Sequence, residues 1–262
     1  LSFLIVGSLT LLISLLTLFS GFGLGTLLLP VFLVFFTPSM AIAATAIVHL
    51  ANNLLKALLF AKYANRQVLL TFSVPAILAA FAGAFLVQQL NGLPVFARYH
   101  WQGHWFVITP IRLTIGVLMI FFACLDLSPK FNALTLPKRW IPLGGILSGF
   151  FGGLTGQQGA FRSAFLVRVG LDKEAFIGTT VLAAILVDMA RLWVYGFMLT
   201  QGPQAVFQSQ TDWRLLLWAM VSAFLGTWLG SRFLKKATIA WMQKLIGILL
   251  IAYGLLLAFG VI

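Results

Sequence analysis

Hydrophobic residues fill this chain in runs too long for the core of a soluble domain, and polar residues are confined to the gaps between them. A helix needs about 20 apolar residues to cross the hydrocarbon of a bilayer. Six runs meet that length: Met40 to Lys62, Val68 to Leu90, Thr109 to Leu127, Glu174 to Thr200, Trp213 to Leu234 and Ile239 to Ile262. Two further stretches are long but interrupted. Leu1 to Phe36 is broken at Gly21-Phe22-Gly23-Leu24-Gly25, with Pro30 soon after, and Arg139 to Val169 is broken between Gly152 and Gly159. Glycine at that density argues against one straight helix.

The pattern also repeats. A shift of 134 residues lays Ser14 on Ser148, Gly25 on Gly159 and Thr45 on Thr179. Farther along, Ala82-Gly83-Ala84 matches Leu225-Gly226-Thr227, and Ile115-Gly116-Val117 matches Ile246-Gly247-Ile248. Loop length absorbs the change of offset. The chain therefore divides into a first repeat (1–127), a linker (128–138) and a second repeat (139–262).

Charge decides how the halves face. Of 262 residues, 61% are hydrophobic and 8% charged, against about 25% charged in a soluble domain. A soluble enzyme, a disordered chain and a disulfide scaffold are excluded. The net charge of +12 sits in short loops between apolar runs, which argues for membrane topology and against nucleic acid. If each broken stretch crosses once, the halves are parallel and the loop Lys/Arg split six against eight. If each enters and returns on one side, the halves are inverted. Lys62, Arg66, Lys130, Lys138, Arg139, Arg168, Lys173, Arg232, Lys235, Lys236 and Lys244 then share one face, and only Arg98, Arg112 and Arg214 lie opposite. The positive-inside rule favours the inverted arrangement.

The expected fold is an all-α integral membrane protein of two inverted repeats. Each repeat is a Gly-broken (re-entrant or short-armed) helical hairpin followed by three transmembrane helices. The linker is cytoplasmic and the membrane a bacterial-type inner membrane. Trp101, Trp105, Trp213 and Trp241 fall near span boundaries, as interfacial aromatics do. Cys124 lies within an apolar run and reads as packing.

Chemistry concentrates at the two breaks. A short helix beginning after each presents free N–H groups and the positive end of its dipole, which suits an anion. Gly23, Gly25 and Thr26 belong to the first tip; Gln157, Gln158, Gly159 and Arg162 belong to the second. An arginine fork matches an oxyanion. Leu28 aligns with Arg162, so any site draws its charge from the second half. The glycines also have GxxxG spacings that serve close helix packing, and both readings stay open.

Polar side chains inside spans form the second group. Thr45, His49, Asn52, Asn53 and Lys56 make one helical stripe, and Thr179, Thr180, Asp188 and Arg191 lie along another. Ionisable groups in a span are costly and usually face the bundle interior. Asp188 and Arg191 also suit a structural ion pair or a coupling site, Lys56 a snorkelling position, the asparagines interhelical bonds, and His49 a proton site. His100 and His104 have metal-ligand spacing without a third ligand, and read as interfacial. No metal or other cofactor is expected. HExxH, GxSxG and a paired-carboxylate motif are missing, so the chain does not read as an enzyme.

The segment GFGLGTLLLPVFLVFFTPSMAIAATAIVHL, echoed by GILSGFFGGLTGQQGAFRSAFLVRVGLDKEAFIGTT, resembles the sulfite exporter TauE/SafE family, also called the 4-toluene sulfonate uptake permease family. The resemblance carries over Gly21, Gly23, Gly25, Gly152, Gly153, Gly156, Gly159, Thr45 and Thr179. The second tip departs from a GxGGG form, with Gln157 and Gln158 where glycines are common. It implies a secondary transporter of a small sulfur-containing anion, sulfite or an organosulfonate. Export is the expected direction; a passive anion channel and a proton-coupled importer are the alternatives. The lipid bilayer is the other partner, and a homo-oligomer stays open.

Overall fold

The computed structural model describes residues 2–20, 24–132, 136–167, 169–200, 210–233 and 239–262. Helices α1 (Ser2–Ser20) and α2 (Leu24–Leu33) precede α3 (Pro38–Phe60), α4 (Arg66–Gly92) and α5 (Pro110–Leu127). After the short α6 (Pro129–Asn132) come α7 (Ile141–Thr155), α8 (Gly159–Leu166), α9 (Lys173–Thr200), α10 (Gln210–Phe233) and α11 (Ile239–Ala258). Local chemistry sets the starts. Pro38 and Pro110 occupy first turns, where the missing N–H costs nothing. Asn65 and Thr109 cap α4 and α5 by accepting from Val68 N and Arg112 N.

Among the described residues, five helical segments are long and apolar enough to cross a membrane: Pro38–Tyr63, Arg66–Gly92, Pro110–Leu127, Lys173–Gly196 and Trp213–Gly230. Three of the four arms of the broken stretches are shorter. At 1.5 Å per residue, α2, α7 and α8 (10, 15 and 8 residues) rise about 15, 22 and 12 Å, short of the roughly 30 Å hydrocarbon.

Four helix pairs organise the bundle: α1 with α10, α4 with α7, α3 with α9, and α5 with α11. Glycines set their distance. A Cβ on Gly149 would lie 2.6 Å from Ala76 Cα, and one on Gly153 would lie 2.8 Å from Ala80 Cα, so α4 and α7 run parallel with backbones touching. Gly226 abuts Leu11 and Ser14, and Gly230 abuts Leu15, so α1 and α10 are likewise parallel. The other two pairs are antiparallel. Phe60 meets Gly178 where His49 meets Asp188, and Gly116 meets Gly254 where Leu127 meets Gly247. Lipid is as apolar as leucine, so such close van der Waals packing is what holds membrane helices together.

The burial pattern is inverted relative to a soluble protein. Leu58 and Trp193 are 82% and 77% exposed on the outer surface, while His49, Asn52, Gln157, Asp188 and Arg191 are buried. Cys124 is exposed on the outer face of α5. It therefore does not pack inside, because the buried face there belongs to Phe122 and Ala123.

One element departs from the all-α expectation. Strands β1 (Ala97–Trp101) and β2 (His104–Ile108) form an antiparallel hairpin, closed by Gln102 (φ 50) and Gly103 (φ 81). Two positive φ angles are what a type I′ turn requires. His100 pairs with Trp105 and Trp101 with His104, so the two histidines point to opposite faces and cannot share a metal. The Tyr99 hydroxyl donates to Phe259 O at 2.7 Å, tying the hairpin to the chain just beyond α11.

Candidate functional site

The two tips meet inside the bundle. Gly156 ends α7 in the left-handed region (φ 83) and donates its N–H to Gly152 O at 2.9 Å, a glycine C-cap that lets the chain turn back. Gln157 and Gln158 bridge to α8, which starts at Gly159. From the other side, α2 brings Gly25 against this turn: a Cβ there would lie 2.8 Å from Gly156 O. Only glycine permits that approach. Pro30 within α2 cannot donate to the carbonyl of Thr26, four residues back.

Around the second tip runs a chain of polar contacts. Asp188 on α9 is its centre. Its Oδ1 accepts from Gln158 Nε2 (3.1 Å), Arg191 Nε (3.0 Å) and Arg191 Nη2 (2.7 Å). Its Oδ2 lies 2.5 Å from His49 Nδ1 on α3. Gln158 Oε1 accepts from Arg162 Nη1 at 3.0 Å, and Ser148 Oγ donates to Gln158 O at 2.9 Å. Thr155 Oγ1 donates to Gln157 Oε1 at 3.2 Å, and the Tyr195 hydroxyl donates to Gly153 O. Asp188 and Arg191 are fully buried, and Gln157 and Gln158 are 1% exposed. Two nitrogens in this cluster, Gln157 Nε2 and Arg191 Nη1, are buried with no hydrogen-bond partner. Arg162 and Lys56 are half-buried.

Such a cluster can hold a small anion: it concentrates fixed cations and amide donors in a space without bulk water. The described residues contain no group of three or more His, Cys, Asp or Glu placed to hold a metal ion. Comparison with known proteins adds one result. The family model for the sulfite exporter TauE/SafE matches residues 6–258. The chain belongs to the TauE/SafE family. It is accordingly a membrane transporter rather than an enzyme by family. No curated protein and no solved structure matches it.

In this TauE/SafE member, most of the residues singled out by sequence gather at the tips. Gly25, Thr26, His49, Asn53, Gln157, Gln158, Gly159, Arg162, Asp188 and Arg191 lie on the elements that converge there, and Gly23 lies outside the described residues. Thr45 stands beside Gly25, its methyl 3.8 Å from the position of a Cβ, with its hydroxyl donating to Ala41 O. Asn53 Nδ2 donates to His49 O at 3.0 Å, and Asn52 accepts from Thr227 Oγ1 on α10 at 3.0 Å. The interhelical-bond reading thus fits Asn52.

Thr179 lies apart from the tips. Its Oγ1 accepts from Asn65 N at 2.9 Å, at the start of α4. It precedes Asp188 by nine residues, about 13 Å along α9. Repeat matching pairs it with Thr45, but α3 and α9 are antiparallel, so the two threonines lie toward opposite ends of the pair. Sequence reasoning missed Ser148 and Tyr195 as supports of the tip. The repeat position of Ser148 and a tyrosine in an apolar span were the available signals.

Proposed function

We propose that the chain exports a small sulfur oxyanion or organosulfonate across a bacterial-type inner membrane by alternating access. The observation that carries the reading is the meeting of two glycine tips beside Arg162, Gln157 and Gln158, in a member of a family described by sulfite export. Arg162, the two glutamines and the N–H groups opening α8 hold the anion. Gly25, Thr26 and Thr45 border the site from the first half.

Two inverted repeats supply the moving parts. The helix pairing supports this: exchanging α1 with α7, α3 with α9, α4 with α10 and α5 with α11 maps the four principal pairs onto one another. The equivalent helices α3 and α9 are antiparallel, as are α5 and α11, which inversion requires. With the linker cytoplasmic, α8 and α3 carry Arg162 and Lys56 from the tip toward the cytoplasmic face, a basic entry for an anion. Arginine and amide donors at mid-membrane replace the anion's hydration. An interior-negative potential drives an anion outward by about 2.3 kcal/mol per charge per 100 mV, so export needs no coupling ion.

One observation favours a second reading, proton coupling. His49 contacts Asp188 within the buried cluster, and the charges facing it are Asp188, Arg191 and Arg162. A proton taken up by His49 raises the cluster's net positive charge by one and lets proton and anion move together.

Purified protein in liposomes tests both. Flux of sulfite, thiosulfate, sulfate and a small sulfonate is measured with and without a proton gradient, beside Arg162→Ala. Saturable flux of one sulfur anion, lowered about tenfold or more in the variant, is the expected result. Acceleration by the gradient, abolished in His49→Gln, selects the coupled reading. Absence of flux for every sulfur anion overturns the substrate, and currents far beyond carrier rates overturn alternating access in favour of a channel.

A further inference from the structure

We infer that Arg191 and Gln157 are direct ligands of the transported anion, with Asp188 holding Arg191 in position; this rests on the anion-carrier reading above. At membrane depth an unpartnered N–H has no water to turn to, so a buried orphan donor is a cost that a fold normally removes. Here there are two. Arg191 Nε and Nη2 are both committed to Asp188 Oδ1, while Nη1 has no acceptor. Gln157 Oε1 is engaged by Thr155, while its Nε2 has none. Both side chains are at least 99% buried.

Both orphan donors border the same turn. Arg191 Nη1 lies 2.6 Å from where a Cβ on Gly156 would sit, and Gln157 is the next residue. Helix α8 begins two residues later, so its N-terminal amides face the same region. Asp188 is already engaged: its Oδ1 takes three donors and its Oδ2 faces His49. What the turn lacks is a negatively charged oxygen, and a small oxyanion such as sulfite or a sulfonate supplies it. One oxygen between Arg191 Nη1 and Gln157 Nε2 would complete both groups. Asp188 acts as a positioning residue, because its two bonds fix the guanidinium with Nη1 directed at Gly156.

The test is anion binding by the full chain in detergent, measured by calorimetry with sulfite, methanesulfonate and sulfate. Thermal unfolding of the anion-free protein is recorded alongside. Gln157→Leu keeps the bulk and removes the amide; Arg191→Lys keeps the charge and removes the fork. Each is expected to raise Kd about tenfold for whichever anion the unmodified protein binds. Gln157→Leu is also expected to hold or raise the anion-free Tm, since it deletes an orphan donor. A purely structural glutamine would behave the other way, with Tm falling and Kd within about twofold of the original. That outcome in Gln157→Leu overturns the inference while leaving the carrier reading intact. Binding of none of the three anions by the unmodified protein overturns the carrier reading itself, and this inference with it.

Discussion

The first and second tips are built alike and equipped differently. Each opens a short helix, α2 at the first and α8 at the second, and they touch at Gly25 and Gly156. Along α2, Leu24, Gly25, Thr26, Leu27, Leu28 and Leu29 are all buried and none carries a charge. The second tip has Gln157, Gln158 and Arg162, and reaches Asp188 and Arg191 on the adjacent helix. Under the 134-residue shift the counterparts of Asp188 and Arg191 are Leu54 and Ala57. Packing positions are repeated and chemistry is not. A bundle scaffold can tolerate two copies of the same glycine contacts, whereas a second set of buried cations beside the first would repel it.

The sharpest way to break this comparison is to remove one member of the charged pair. Arg191→Ala leaves Asp188 buried without its principal counter-charge, and Asp188→Ala strands Arg191. Each is expected to destabilise the protein by about 3–5 kcal/mol, read as thermal unfolding in detergent. The double variant Asp188→Leu with Arg191→Met is expected to recover most of that loss while remaining inactive in flux. At the counterpart position, Leu54 is 49% exposed, so Leu54→Ala shifts stability by only about 0.5 kcal/mol. Equal effects at Asp188 and Leu54 would erase the asymmetry.

A smaller effect should be shared by the halves. Gly149→Val drives a side chain into Ala76 on α4, and Gly226→Val drives one into Leu11 and Ser14 on α1. The nearest atom at each site is a backbone carbonyl oxygen, of Ala76 and of Leu11, which cannot swing aside. Each substitution is expected to cost about 1–3 kcal/mol, with the two values close to each other. A large cost at one site and none at the other means that the α4–α7 and α1–α10 pairs are not equivalent supports.

The sequence made the scaffold legible because helix lengths and glycine breaks are local signals. The five long spans follow apolar runs, and Gly156 marks its own turn. The Asp188–Arg191 pair was visible from its spacing of three. The His49–Asp188 contact was not, since 139 residues separate the partners and only the register of α3 against α9 brings them together. The β-hairpin was missed for a different reason. Its strands are only five residues each, and their aromatic and histidine content is equally that of a membrane boundary. Thr179 shows the limit of internal matching: it pairs with Thr45 in sequence, while the antiparallel packing of α3 and α9 gives the two threonines different neighbours.

The gentlest test separates those two threonines. Thr179 Oγ1 is the acceptor for Asn65 N, a part-buried group just before α4, so Thr179→Val strands a backbone donor. The expected cost is about 1 kcal/mol, seen as a lower Tm, with flux and anion affinity unchanged. Thr45→Val loses only a bond from its own hydroxyl to Ala41 O within α3, and valine keeps the methyl that faces Gly25. Its expected effect on stability is within about 0.5 kcal/mol. Any change in affinity should appear here rather than at Thr179, because Thr45 adjoins the tips and Thr179 lies about 13 Å along α9 from Asp188. Should Thr179→Val weaken anion binding while Thr45→Val does not, the site would extend toward the start of α4, and the tips would not be its centre.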